Sequence, residues 1–194
     1  HAIKIDGDFS DWQSSTVEYR DTIGDTIHRD YNGYGGLHYN NDSGRNDITT
    51  AKVAFDSSNV YFYAEANETL SPHTGRNWML LLIDADKNPK TGWYGYDYLI
   101  NQHVIDDKTT TLMRYDAKSA DHSWVEEAKL DYRQAGKRLE IAVPRKLLNL
   151  DNDAVTFDFK WADNPADLKD PISLCTTGDT APNRRFNYRC IWKR

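Results

Sequence analysis

Only two cysteines, two methionines and six prolines occur in the 194 residues. So little cysteine excludes a disulfide-dense scaffold and any four-cysteine zinc module. Long apolar runs are missing as well. The longest, Met79 to Ile83, falls far short of the roughly eighteen residues that a membrane-spanning helix requires, so no membrane span is expected. Positive charge is not in excess: 30 acids against 24 bases leave a net charge of -6, spread along the chain, and no basic footprint for nucleic acid. There is no G-x-S-x-G elbow and no phosphate-cradling glycine loop. The six histidines stand at 1, 28, 38, 73, 103 and 122, never in an H-E-x-x-H or H-x-x-x-H arrangement.

What the chain has is aromatic side chains and alternation. Aromatics make up 12%, including twelve Tyr and six Trp, in an otherwise very polar composition, so a share of the rings is expected near the surface, where Tyr and Trp serve binding. Short segments of period-two alternation bounded by Gly, Asn, Asp and Pro recur throughout, the pattern of an all-β antiparallel sandwich in one domain. The spacing predicts about nine strands: Thr50 to Phe55 and Val60 to Ala66, joined by the turn "DSSN", then Trp78 to Ile83, Tyr96 to Val104, Thr109 to Tyr115, Trp124 to Tyr132, Arg138 to Pro144, Val155 to Trp161 and Phe186 to Trp192. One helical turn is expected at "PRKLLNL", and Asp21 to Arg45 reads as a long ordered loop. Cys175 and Cys190 lack zinc spacing and read as a disulfide, with two buried free thiols as the alternative; a disulfide places the protein outside the reducing cytosol.

Three stretches in order, "IKIDGDFSDW", "AKVAFDSSNVYFYAEANE" and "MLLLIDADKNPKTGWYGYDYLIN", resemble the family 9 carbohydrate-binding modules and the wider DOMON-like sandwiches. The matching positions are Ile5, Asp6, Gly7, Asp11 and Trp12; Val53 to Tyr61; and Ile83, Asp84, Asn88, Thr91, Gly92 and Trp93. The resemblance implies a jelly-roll-like β-sandwich with bound calcium, an aromatic-lined sugar slot and no catalytic activity of its own. It also implies a linked polysaccharide-degrading catalytic domain as partner, and together with the expected disulfide the setting is read as secreted, periplasmic or cell-surface. The chain departs from the family's clamp of two facing Trp: Trp78 stands closer to Asp84 than the first should, and "GDTAPNRRFNY" has none.

In "DADKNPKTGWYGYDYLIN", Asp84, Asp86 and Asn88 alternate as oxygen ligands do in a calcium loop. An equal reading is a turn in which Asp and Asn side chains satisfy their own backbone. Among Asp6, Asp8 and Asp11, Asp6 is expected as a buried turn acceptor. Trp93 and Tyr94 offer ring faces to the apolar side of a sugar, with Tyr94, Tyr96 and Tyr98 on one side of an emerging strand. Asn101, matching a family position that bonds hydroxyls, and Arg185 supply planar hydrogen-bond partners, and Trp78 and Trp161 complete the candidate carbohydrate-binding set. His1, with its amine and imidazole, has copper-chelating potential if a second His is near. Rival readings are a glycan-active hydrolase or copper oxidase on an unrecognised site, and a structural spacer.

Overall fold

The computed structural model describes residues 3–14, 17–24, 29–41, 43–119 and 124–194. Its strands are β1 (Val17–Arg20), β2 (Arg29–Asn32), β3 (His38–Asn41), β4 (Ile48–Phe55), β5 (Asn59–Ala66), β6 (Leu80–Asp84), β7 (Tyr98–Val104), β8 (Thr109–Tyr115), β9 (Trp124–Ala135), β10 (Arg138–Pro144), β11 (Ala154–Asp163), β12 (Asp179–Ala181) and β13 (Tyr188–Lys193). A short helix, α1 (Pro171–Thr176), precedes β12, and "PRKLLNL" makes the expected single turn, a 3₁₀ turn over Arg145–Leu148. Every strand pair is antiparallel.

One large sheet runs β1-β4-β5-β10-β9-β8-β7-β6-β11-β12, with β13 beside β12 along β11. The long strand β9 folds it over: Trp124 to Asp131 pair with β8, whereas Tyr132 to Ala135 pair with β10. The two layers meet where Phe62 of β5 stands edge-on to Phe157 and Phe159 of β11, at 6.0 and 5.8 Å between ring centres. The sheet's far ends also converge, Tyr19 of β1 reaching Phe159 at 5.2 Å and Phe55 of β4 stacking on Trp192 of β13 at 4.8 Å. The result is a sandwich that nearly closes into a barrel. Each such ring pair contributes on the order of 1 kcal/mol beyond burial.

Local chemistry accounts for the connections. In "DSSN", Asp56 Oδ1 accepts the backbone N–H groups of Ser58 and Asn59 at 2.7 and 2.6 Å, and β4 and β5 pair across it. The N-terminal segment covers the outer face of the β4–β5–β10 layer. There Glu140 of β10, fully buried, accepts from Asp6 N (3.1 Å), Gly7 N (2.9 Å) and Trp12 Nε1 (2.8 Å), and Trp12 packs on Tyr63 at 5.2 Å. The buried acceptor is therefore Glu140 and not Asp6, which is exposed and receives only Asp8 N.

Other departures from the sequence expectation follow from backbone geometry. Met79 has φ +40, so the strand expected from Trp78 begins at Leu80. The stretch Asp21 to Arg45 contains the small hairpin β2–β3, with Tyr31 stacked on Tyr39. The cysteines are not bridged. Cys190 lies opposite Phe157 and faces the interior, while Cys175 on α1 packs against Leu80, Leu82 and Ala162 on the outer face of the same layer. A disulfide needs both Cβ vectors pointed at each other within about 4.5 Å, and the sheet stands between these two. Both are buried free thiols; burial raises both thiol pKa values, that of Cys190 to about 11.

Candidate functional site

The loop joining β6 to β7 lies on the outer face of the β6–β11 layer. Its first half is a chain of side-chain-to-backbone turns: Asp86 Oδ1 accepts Asn88 N at 2.8 Å, Asn88 Oδ1 accepts Lys90 N at 3.1 Å, and Thr91 Oγ1 donates to Asp86 Oδ2 at 2.8 Å. Gly92, at φ +63, is needed here because a Cβ would stand 2.2 Å from Tyr96 O. Trp93 and Tyr96 then exchange both backbone hydrogen bonds, at 2.7 and 3.0 Å, around a two-residue turn with Tyr94 at φ +52 and Gly95 at φ +100. Two central residues with positive φ suit the twist of a hairpin, and asparagine or glycine usually occupies the first. A tyrosine there throws its ring outward: Tyr94 is 66% exposed.

Beneath it, Trp93 is only 9% exposed, edge-on to Tyr94 at 5.4 Å and to Trp124 at 6.3 Å. Trp93 supports the exposed ring and presents little face of its own. Tyr94 overhangs a cleft of about 380 Å³ between this turn, α1 and segment 182–187. Ile172 and Leu174 of α1, Tyr96 and Arg185 complete its walls. Asp170 caps α1 by accepting Ile172 N at 2.9 Å, with Pro171 at the first turn. Lys160 of β11, almost fully buried, holds segment 182–187 by donating from Nζ to Pro182 O and to Phe186 O at 2.7 Å, and burial lowers its pKa to about 8. Tyr96 Oη donates to Asn187 Oδ1 at 2.6 Å, a second tie to that segment. Arg185 and, nearby, Phe186 remain exposed.

The base of the loop closes where Asp97 N donates to Ile83 O and Ala85 N donates to Asp97 Oδ2, both at 2.9 Å. This closure brings oxygens of Asp84, Asp86 and Asp97 within 4.8 Å of one another. Asp84 is 7% exposed, and its Oδ1 has no hydrogen-bond partner. Burial, with the charges of Asp97 and Asp86 adding to it, pushes its pKa up to about 6; burial raises Asp97 as well. An orphaned buried carboxylate oxygen beside two further carboxylates fits a hard cation. Asn88 does not join them, since its side-chain oxygen is committed to Lys90 N. A pocket of about 280 Å³ opens beside the group, lined by Asp86, Asp97, Tyr98, Arg114 and Asn149.

Of the candidate carbohydrate-binding residues, the fold brings Tyr94 and Arg185 to one cleft, with Trp93 under its rim. The rest lie elsewhere. Trp78 and Trp161 are core residues, Trp78 donating to Ser71 O at 2.8 Å, and neither offers a ring face to a ligand. Asn101 is 2% exposed and sits at φ +69 in an irregular register; its amide donates to Met79 O and accepts from Thr110 Oγ1, both at 2.7 Å. Its hydrogen-bonding capacity is spent inside. Tyr96 and Tyr98 do not share a face: Tyr96 joins the outer cluster and Tyr98 the main core, since Tyr96 is tied by its backbone to Trp93 across the turn and β7 begins only at Tyr98. His1, with its copper-chelating reading, and His28 and His122 lie outside the described residues.

Asp97, Lys160 and Ile172 are site residues that the sequence reading left out. "DPISL" carried the signal for α1, an Asp cap followed by Pro. Lys160, in a strand whose other face is plainly core, carried none. No family model matches the chain, and no match is found among curated proteins or solved structures. Among the described residues no helix is long and apolar enough to cross a membrane.

Proposed function

We propose that this domain binds carbohydrate, as a non-catalytic module working beside a polysaccharide-degrading enzyme. The observation that carries the reading is Tyr94, an exposed ring held in a left-handed turn over a preformed cleft with a guanidinium in its wall. A saccharide's apolar C–H face stacks on such a ring, and its hydroxyls pair with Arg185 and with carbonyls at the rim. Local strain at an exposed aromatic is retained in folds where the side chain has a task outside the core. The likeness of three sequence stretches to family 9 carbohydrate-binding modules supports the same reading, with Tyr94 in place of paired Trp. The free thiols remove disulfide formation as an argument for an oxidising compartment, so the secreted, periplasmic or cell-surface setting rests on the polysaccharide ligand alone.

With one principal ring, affinity is expected in the micromolar to millimolar range, about -4 to -8 kcal/mol. Affinity electrophoresis through gels of soluble polysaccharides tests the reading. Retardation by at least one glycan, lost in Tyr94→Ala and weakened in Arg185→Ala with the circular dichroism spectrum unchanged, is the expected result. No retardation across a broad panel, or retardation indifferent to both substitutions, overturns it.

A further inference from the structure

The cleft under Tyr94 differs from other hollows of the molecule in the sign of its charge. Lys160 and Arg185 line it, and no acid does among the described residues. Two other pockets mix signs, with Arg114 beside Asp86 and Asp97 in one and Lys129 beside Asp131 in the other. The chain as a whole carries a net charge of -6, so a cleft lined by cations alone runs against the average. The acids whose charges reach Tyr96 do not line it: Asp158 is held by Arg189 through two bonds, at 2.8 and 2.9 Å, and Asp84 lies in the buried base of the loop. A cleft lined by charge of one sign concentrates ligands of the other.

Arg185 is exposed and makes no ion pair among the described residues. Its backbone is fixed all the same. Lys160 Nζ holds Pro182 O and Phe186 O, Cys175 Sγ donates to Arg184 O at 2.8 Å, and Tyr96 Oη ties down Asn187. Those bonds spend two of the three Lys160 donors, and the ammonium, at a pKa of about 8, keeps its proton at neutral pH. A planar guanidinium without a carboxylate partner is thus carried on a braced segment, with a second positive charge in the same wall and an exposed ring opposite. We propose, on the carbohydrate reading of this cleft, that it selects acidic sugars: Arg185 takes the carboxylate of a uronate residue while Tyr94 stacks on its ring. A guanidinium meets a carboxylate through two parallel N–H···O bonds, each roughly twice as strong as a neutral one. The apolar side chains of Ile172 and Leu174 beside it lower the local dielectric and strengthen that pair.

Calorimetric titration with oligosaccharides of polygalacturonate, alginate and glucuronoxylan, each against its carboxyl-reduced form, tests it. Reduction turns the carboxylate into a hydroxymethyl group and keeps ring and linkage. At least one uronate glycan should bind about tenfold or more tightly than its reduced form. Raising salt from about 50 to about 300 mM should shrink that preference severalfold. Arg185→Gln should bring the two forms to nearly equal affinity, while Arg184→Gln, exposed and outside the cleft, keeps the preference. Tyr94→Ala should weaken both forms alike. Glycans bound through Tyr94 with no uronate favoured over its reduced form overturn the acidic preference and leave the carbohydrate reading standing; no binding of any glycan overturns both. A preference intact in Arg185→Gln overturns it as well. So does dextran sulfate bound as tightly as the best uronate and indifferent to Tyr94→Ala, which shows attraction of charge without a sugar site.

Discussion

The N-terminal segment and the β6–β7 loop are built from the same kinds of residue, acids, glycines and a tryptophan, and the fold uses them in opposite ways. In the N-terminal segment the donors that become buried are answered from within, Glu140 rising from β10 to meet Trp12 Nε1 and two backbone N–H groups, and only one oxygen of Asp11 stays without a partner. In the loop, the buried carboxylate of Asp84 keeps an unanswered oxygen and Tyr94 is turned away from the core. Similar composition thus serves cohesion in one place and presentation in the other, and the difference is set by what the facing strand contributes. A strand that offers a partner consumes the polar group; one that offers none leaves it for something outside the chain.

That contrast breaks most severely at Glu140. Glu140→Ala strands three donors and is expected to cost about 3 kcal/mol, lowering the melting temperature by roughly 6–12 °C. Glycan retention at Tyr94, on the other layer, should survive below the new melting point.

A smaller effect comes from pH. The Asp84 carboxyl, at about 6 against an ordinary 3.8, binds its proton more tightly in the folded than in the unfolded chain. The folded state therefore gains stability from protonation at low pH and loses it as pH rises from about 4 through 6, by on the order of 2 kcal/mol after allowance for solvent screening. Thermal melts of the calcium-free domain should show Asp84→Asn flattening this slope, and a slope unchanged in that variant contradicts the assignment.

Smaller again is the exposed ring. Tyr94→Ala should weaken glycan binding by about tenfold, near 1.4 kcal/mol, and leave stability within about 0.5 kcal/mol. Tyr94→Gly should bind as poorly, yet gain about 1 kcal/mol of stability, because glycine occupies φ +52 without strain. A Tyr94→Gly domain less stable than native shows the ring to be cohesive and removes the contrast. Least of all, a reducing agent should leave the melting curve unmoved, and a thiol reagent should label Cys175 and Cys190 only on unfolding.

Much of the framework was legible along the chain. β8 and β10 have the bounds that alternation predicts, the Asp56 turn forms as its residues require, and Phe157 and Phe159 share the buried face that their alternation in β11 gives them, with Trp161, a candidate binding residue, buried beside them. The short strands β1, β2, β3 and β12 were not, since three or four residues carry too little periodicity. At the site, Tyr94 and Arg185 were legible as exposed binding types, whereas Trp93, Trp78 and Asn101 were placed outside and lie within.

The sequence by itself determined an antiparallel β-protein, its longer strands, the turn at Asp56 and the concentration of acids and rings between β6 and β7. Those properties depend on neighbours two to four residues away, where period and turn chemistry act. Only the tertiary structure decided which ring reaches solvent, that Asp97 and not Asn88 completes the acid group, and that Cys175 and Cys190 stand on opposite faces of one layer. Alternation gives the relative side of successive residues, but a positive-φ residue such as Tyr94 or Asn101 resets it, and the burial of each side then depends on distant segments laid over the sheet.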